Sequence, residues 1–209
     1  MRNLKKELVK YSHLVAGEGL VAASSGNISV KQGGSILIKA SGCFMEEAGI
    51  GDFLAVDLKT LGFCHSKLKP SCELKMHAVC YKGNAEIKCV MHTHPLYATT
   101  LINCSIDPEV LSPEFALSLG SGIEVIDYFC PGTEQLAESV GKAVKKANVV
   151  YLKNHGLLTV GKDLKQAYTR TVLAERMAKM QILSRLLGKR LKGISKGQAK
   201  KLIANLNPD

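Results

Sequence analysis

The sequence predicts an α/β domain built on a mixed sheet, and three observations carry that prediction. Short apolar runs alternate along the chain with longer segments of helical period. Several of those runs are joined by tight turns rather than by helices. At 209 residues, 46% hydrophobic and 22% charged, the chain has the size and composition of one ordinary globular domain with a substantial core. No internal repeat, low-complexity linker or composition break interrupts it before Gly188, so 1–209 reads as a single domain.

The elements follow in order. Leu4, Leu8, Tyr11 and Leu14 fall on one side of a helix over 4–16. Ala23-Ser24-Ser25-Gly26-Asn27 is a turn cluster, and 28–30 and 36–39 read as a hairpin around 31–35. A further strand spans 53–58. Pro70-Ser71 opens a helix to about Tyr81, with Ser71 suited to its N-cap and Gly83-Asn84 to its stop. The apolar run 87–91 leads into a strand carrying His92-Thr93-His94, which Pro95 ends. Segments 96–103 and 113–119 are helical, 123–128 is a strand, and 133–146 is an amphipathic helix whose Thr133 and Glu134 suit its start. Strands 149–153 and 157–160 flank Asn154-His155-Gly156. The amphipathic helix 164–187, about six turns long, is long enough to pack across a sheet or a subunit boundary. Residues 190–209 form a basic tail or helix.

Composition narrows the function classes. The 28 Lys and Arg against 18 Asp and Glu give a net charge of +10. That excess suits nucleic acid or an anionic small substrate. Much of it lies in Lys189, Arg190, Lys192, Lys196, Lys200 and Lys201, which read as a solvated helical face. No zinc-finger spacing accompanies the charge, Trp is absent and aromatics are only 5%, so nucleic-acid binding is not expected. No apolar run approaches the ~20 residues that span a bilayer, and the N-terminus has no secretory pattern. A membrane partner is not expected, and a cytoplasmic location is. The seven cysteines are irregularly spaced without Cys-x-x-Cys, which argues against a disulfide framework and for buried small hydrophobes in a reducing compartment.

Three groups of residues carry chemistry. In a strand, residues i and i+2 share a face, so His92 and His94 leave the sheet side by side as half of a transition-metal site. His155, at a turn between two apolar strands, needs a partner. It is either a hydrogen-bonded structural histidine or a third ligand, and three neutral imidazoles leave zinc an open position. His13 and His65 have no such context and read as surface residues. Glu73, in the first turn of a helix, is stabilised by the helix dipole and is also placed to act as a general base. His77, four residues on, shares its face and can pair with it, as a structural or supporting residue. Finally, Gly26-Asn27, Ser41-Gly42 and Ser71-Cys72 are small-residue turns whose N–H groups could together cradle a phosphate.

With these residues in view, the chain resembles the class II aldolase/adducin family over about 4–188. The resemblance rests on Ser25-Gly26-Asn27-Ile28-Ser29, Ile38-Lys39-Ala40-Ser41-Gly42, Lys69-Pro70-Ser71-Cys72-Glu73, Val90-Met91-His92-Thr93-His94 and Asn154-His155-Gly156, in the family's order and at family-like spacing.

The resemblance implies a three-layer α/β/α domain with a largely antiparallel central sheet. It implies a homotetramer with active sites between subunits, and one Zn2+ per subunit held by His92, His94 and His155. It implies Glu73 as proton donor and acceptor that also ligates zinc when substrate is absent. It places a substrate phosphate on Gly26, Asn27, Ser41, Gly42, Ser71 and Cys72. The expected reaction is zinc-dependent cleavage of a ketose 1-phosphate such as L-fuculose 1-phosphate to dihydroxyacetone phosphate and an aldehyde such as L-lactaldehyde, through a metal-stabilised enediolate. Two departures stand out. Cys72 occupies a position where serine fits the aldolase pattern. No tyrosine lies around Ser112-Pro113-Glu114-Phe115 or after Tyr168, where aldolases acting on that sugar carry proton-transferring tyrosines. Other activities on the same scaffold are a ribulose-5-phosphate 4-epimerase, which typically has Asp at the position of Glu73, a methylthioribulose-1-phosphate dehydratase and a sugar-acid phosphate decarboxylase. A non-catalytic interaction module like the adducin head lacks the metal ligands and is the alternative of a different class.

Overall fold

The computed structural model describes residues 2–64, 67–120 and 122–206. A seven-stranded sheet forms its centre: β1 (Asn27–Gln32), β2 (Ser35–Lys39), β3 (Phe53–Asp57), β4 (Cys89–Thr93), β5 (Ile123–Ile126), β6 (Val149–Leu152) and β7 (Gly156–Gly161). The order is β3-β2-β1-β4-β7-β6-β5. Every pairing is antiparallel except β5 with β6, which are parallel. A parallel pair needs a crossover, and helix α5 (Glu134–Ala143) supplies it. The sheet is therefore mixed and largely antiparallel, as expected.

Alternation along the strands builds two helical layers. Val90, Val150, Leu158 and Val160 point to one face, against α2 (Leu74–Gly83) and α5. Cys89 and Met91 point to the other, against α1 (Arg2–Gly17) and α6 (Leu164–Leu186). Val149, Tyr151 and Leu157 join them there under α3 (Leu96–Asn103), α4 (Pro113–Leu119) and α6. The three-layer arrangement follows from this two-sided burial, since strands covered on both faces carry apolar residues at odd and even positions alike.

Side-chain caps fix the helix starts. Thr133 accepts from Leu136 N at 3.4 Å ahead of α5, and Asp163 from Gln166 N at 2.7 Å ahead of α6. Glu175 on α6 takes two N–H groups at the start of α3, from Tyr97 at 2.9 Å and Ala98 at 2.7 Å.

Two expectations need correction. The helix expected from Pro70-Ser71 starts later, with Glu73 as its N-cap, because Pro70 bridges to Ala40 and Ser71 N bonds the Lys39 carbonyl in extended geometry. Ser71 instead closes the turn before the helix, its Oγ accepting from Glu73 N at 3.3 Å. The cysteines are not mostly buried: only Cys80 and Cys89 are, while Cys64, Cys72, Cys104 and Cys130 are exposed. Of the two forms expected for the basic C-terminal segment, tail or helix, the structure shows helix α7 (Lys196–Leu206), docked through Ile194 N on the Val110 carbonyl, Gly193 N on Glu109 and a buried Ala199. Its described cations Lys189, Arg190, Lys192, Lys200 and Lys201 remain exposed. No helix among the described residues is long and apolar enough to cross a membrane.

Candidate active site

The sheet register brings the candidate residues to one place. Val90 lies on the α2 face, and the period of two puts His92 and His94 there with it. β1 pairs Asn27 with His92 and Ser29 with Val90, so Asn27 and Ser29 share that face. β6 and β7 turn back through residues 153–155 and carry His155 to the same end of the sheet. Asn154, at φ 52°, makes the tight corner, and its N–H is held by Asn103 Oδ1 at 2.6 Å. Glu73, at the start of α2, closes the group.

The three imidazoles form a compact cluster with ring centroids 4.7 to 5.4 Å apart. One ligand nitrogen from each lies within 4.8 Å of the others. His92 Nδ1 donates to the Leu157 carbonyl at 3.0 Å, which leaves Nε2 as the lone-pair nitrogen. That Nε2 is 3.0 Å from His94 Nε2 and 3.1 Å from Glu73 Oε2. Glu73 Oε1 stands 3.3 Å from His155 Nε2. Glu73 Oε1 and His155 Nδ1 are buried yet accept or make no aligned hydrogen bond.

Electrostatics favour a neutral His94 ring beside an ionised Glu73 carboxylate. Burial, with His92 and His155 alongside, pulls the His94 imidazole down to about 4. Burial works to raise the Glu73 carboxyl. The nearby His92, the close approach of His155 and the hydrogen bond from Asn27 outweigh it and hold Glu73 well below the ordinary carboxylate range. Three imidazole nitrogens facing one another beside a carboxylate with an orphaned oxygen form a donor set suited to a divalent metal such as zinc. Packing supports the cluster closely: a Cβ on Gly156 would meet the Thr93 carbonyl and lie 2.6 Å from His94 Cδ2.

The six residues expected to cradle a phosphate, Gly26, Asn27, Ser41, Gly42, Ser71 and Cys72, all line one cavity of about 310 Å³. Glu73, His94 and His155 form its inner wall, and no tyrosine lines it. A larger hollow of about 400 Å³ between Val110, Ile123 and Ala199 has no histidine or other metal-ligand cluster on its walls.

Two residues were missed or misjudged from sequence. Lys39 also lines the cavity, although its side chain is buried, with Nζ bonded to the carbonyls of Ser24 and Cys43. Burial pulls its ammonium below the ordinary lysine range, with Cys43 and Asp52 opposing. The available signal was a lysine at a strand end next to a Ser-Gly turn. His77 does not pair with the Glu73 carboxylate; its ring bonds Asn27 Oδ1 and Ser29 Oγ. His13 is exposed and bonds the Ala48 carbonyl at 3.0 Å. His65 lies outside the described residues.

Comparison with known proteins gives consistent relatives. The family described as Class II Aldolase and Adducin N-terminal domain matches residues 6–182. An L-fuculose phosphate aldolase of Methanococcus maripaludis strain C5 is 32% identical over 86% of this chain and 96% of its own. A 3-oxo-tetronate 4-phosphate decarboxylase of Haemophilus influenzae is 28% identical over 84% and 85%. Among solved structures, an L-fuculose 1-phosphate aldolase superposes with a TM-score of 0.90 at 25% identity, covering 99% of this chain and 97% of the other.

Proposed function

The chain belongs to the class II aldolase and adducin family, and on that premise we propose that it is a zinc-dependent aldehyde-lyase. It cleaves a ketose 1-phosphate such as L-fuculose 1-phosphate, reversibly, to dihydroxyacetone phosphate and an aldehyde. The observation that carries this reading is the convergence of His92, His94 and His155 on Glu73 beside a cavity lined by small-residue turns and Lys39.

In this reading His92, His94 and His155 hold the metal, with Glu73 as a further ligand when substrate is absent. A bound zinc ion supplies Lewis-acid stabilisation of the charge that develops when the carbon–carbon bond breaks. The protein's own groups do the rest. Gly26, Asn27, Ser41, Gly42, Ser71 and Cys72 hold the phosphate through short turns, and the Lys39 ammonium adds positive charge to the same cavity. Cleavage leaves the bonding electron pair on the fragment that becomes dihydroxyacetone phosphate. The hydroxyl that becomes the aldehyde gives up its proton, the ionised Glu73 takes up a proton in exchange, and it delivers that proton to the carbon left with the electron pair; in the synthetic direction the transfers reverse. Burial of the carboxylate at 5% exposure keeps bulk water from competing for that proton.

A second reading, a decarboxylase acting on a sugar-acid phosphate, draws on the Haemophilus relative and on the tyrosine-free cavity. It would use the same metal and phosphate sites on a substrate whose departing group is carbon dioxide. The retained triad opposes an adducin-like interaction module. The exposed Met180, Leu183, Leu186 and Leu187 on and after α6 support assembly as a homotetramer. The seven free cysteines suit a cytoplasmic location.

The test is to assay the purified protein on L-fuculose 1-phosphate, other ketose 1-phosphates and sugar-acid phosphates, with and without chelator. Chelator-sensitive release of dihydroxyacetone phosphate supports the lyase. Activity indifferent to chelator, or none on any ketose phosphate, overturns it. Glu73→Gln is expected to keep bound metal while losing 10²- to 10⁴-fold or so in kcat.

A further inference from the structure

We propose that His77 is a positioning residue that, by way of Asn27, fixes the Glu73 carboxylate with one oxygen anchored and the other free to move a proton. The proposal rests on the reading of Glu73 as the proton-transfer group of a lyase.

The geometry is a buried chain of hydrogen bonds. His77 and Tyr81 lie four residues apart on α2 and point down onto β1, where Asn27 and Ser29 point up. Tyr81 Oη meets Ser29 Oγ at 2.6 Å, and Ser29 Oγ meets His77 Nδ1 at 2.7 Å. His77 Nε2 bonds Asn27 Oδ1, and Asn27 Nδ2 bonds Glu73 Oε2 at 2.9 Å. His77 and Ser29 are fully buried, and Tyr81 is 3% exposed.

The chemistry of these atoms gives the chain one direction. Asn27 Oδ1 can only accept, so His77 Nε2 carries the hydrogen. With that hydrogen on Nε2 of a neutral ring, Nδ1 accepts from Ser29 Oγ at 2.7 Å. Ser29 in turn accepts from Tyr81. Donation therefore runs from Tyr81 through Ser29, His77 and Asn27 into the carboxylate. With the other His77 tautomer, Nε2 would accept, Asn27 would turn its amide over, and its carbonyl would face the Glu73 carboxylate. Two acceptors in contact in a buried site repel.

The consequence falls on Glu73. Its Oε2 is pinned by the Asn27 amide, whereas Oε1 takes no aligned hydrogen bond and faces His155 Nε2 at 3.3 Å. An acid–base group works on a carbon only from a fixed distance and angle. One pinned oxygen sets that geometry, and one free oxygen makes and breaks the bond to hydrogen. Asn27, expected from sequence as part of the phosphate cradle, thus has its side chain committed to Glu73.

Two measurements test this, the first without reference to activity. Imidazole two-bond correlations in ¹⁵N-labelled protein are expected to show His77 as the Nε2–H tautomer at neutral pH, with and without zinc. A ring that is Nδ1–H or charged overturns the proposal. The second compares His77→Phe, and the milder Ser29→Ala in case the first fails to fold, with the parent. Folded variants are expected to lose roughly 10- to 100-fold in kcat while KM for the ketose 1-phosphate and bound zinc stay within about two-fold. Exchange of solvent hydrogen into dihydroxyacetone phosphate falls by the same factor, and Ser29→Thr restores it. In an Asn27→Ala background, His77→Phe costs nothing more. Parental kcat in a folded variant, or losses in zinc, KM and kcat that move together, overturns the positioning role alone. Absence of turnover by the parent protein overturns the lyase reading beneath it.

Discussion

Gly156 illustrates how tightly single residues constrain the metal cluster. A methyl there would press on the Thr93 carbonyl, come within 2.6 Å of His94 Cδ2 and within 3.2 Å of His92 Cε1. None of these is the far end of a flexible side chain, so the two imidazoles must move. Gly156→Ala is expected to cost about 1–3 kcal/mol in overpacking and to lower bound zinc, measured by elemental analysis and thermal melts. Gly51→Ala, where nothing lies within 4 Å, is the control. Equal zinc content and equal melting in both variants would show that the triad tolerates displacement. Lys39 makes a complementary case on the substrate side. Its ammonium now bonds only carbonyls, and a charged hydrogen bond to phosphate is worth ~1.5–3 kcal/mol. Lys39→Met is expected to raise KM for phosphorylated substrates about 10- to 100-fold with a smaller effect on kcat. An unchanged KM would remove Lys39 from the phosphate site.

At the scale of elements, the interface between α2 and β1 carries a pH dependence. His77 is neutral in the folded protein down to about 3, against about 6.5 in an unfolded chain. Between those values the unfolded state binds the extra proton, so stability is complete above about 6.5 and falls as the pH drops toward 3. The slope is ~1.4 kcal/mol per pH unit for one such group. In metal-free protein His94 adds to it over a narrower range, from 6.5 to about 4. Denaturant melts at pH 7 and 5 are therefore expected to show a larger stability loss in the parent than in His77→Gln. Equal losses would mean that His77 takes up no proton on unfolding. The same interface marks the boundary of what the sequence conveys. Strands and most helices were legible because hydrophobic period and turn residues act locally: α3 and α4 fall where 96–103 and 113–119 were expected. The histidine cluster was legible because a His-x-His spacing on a strand and a histidine in a strand–strand turn are local patterns, joined by the family resemblance. The start of α2 was misplaced because Pro70 and Ser71 answer to Lys39 and Ala40, about thirty residues away. His77 was assigned a neighbour on its own helix, whereas its partners Asn27 and Ser29 come from a strand whose register no local pattern displays. The docking of α7 is equally non-local, since it depends on Val110 and Glu109.

Across the whole molecule, the candidate metal ligands tie together pieces of chain that local structure leaves separate. His92 and His94 end β4, His155 sits in the turn between β6 and β7, and Glu73 starts α2, the helix packed on the face to which these imidazoles point. Without an ion, this junction holds three closely spaced imidazoles, an ionised carboxylate and two orphaned polar atoms, an arrangement that costs stability. An ion that binds the folded state alone adds RT ln(1 + [M]/Kd), about 4 kcal/mol at a thousand times Kd. For a chain of this length each kcal/mol moves the midpoint by ~2–4 °C. Removing zinc with a chelator is therefore expected to lower the melting temperature by roughly 8–16 °C, and added zinc to restore it. The sign follows from tighter binding to the folded site than to the unfolded histidines, and weaker binding to the unfolded chain only reduces the shift. His92→Ala/His94→Ala protein is expected to melt at one temperature whether or not chelator is present, which separates loss of this ion from a general effect of the chelator. A parent midpoint that chelator leaves unchanged, in protein shown by elemental analysis to have been loaded, would mean that the triad does not hold the ion and that the junction is stabilised by hydrogen bonds alone.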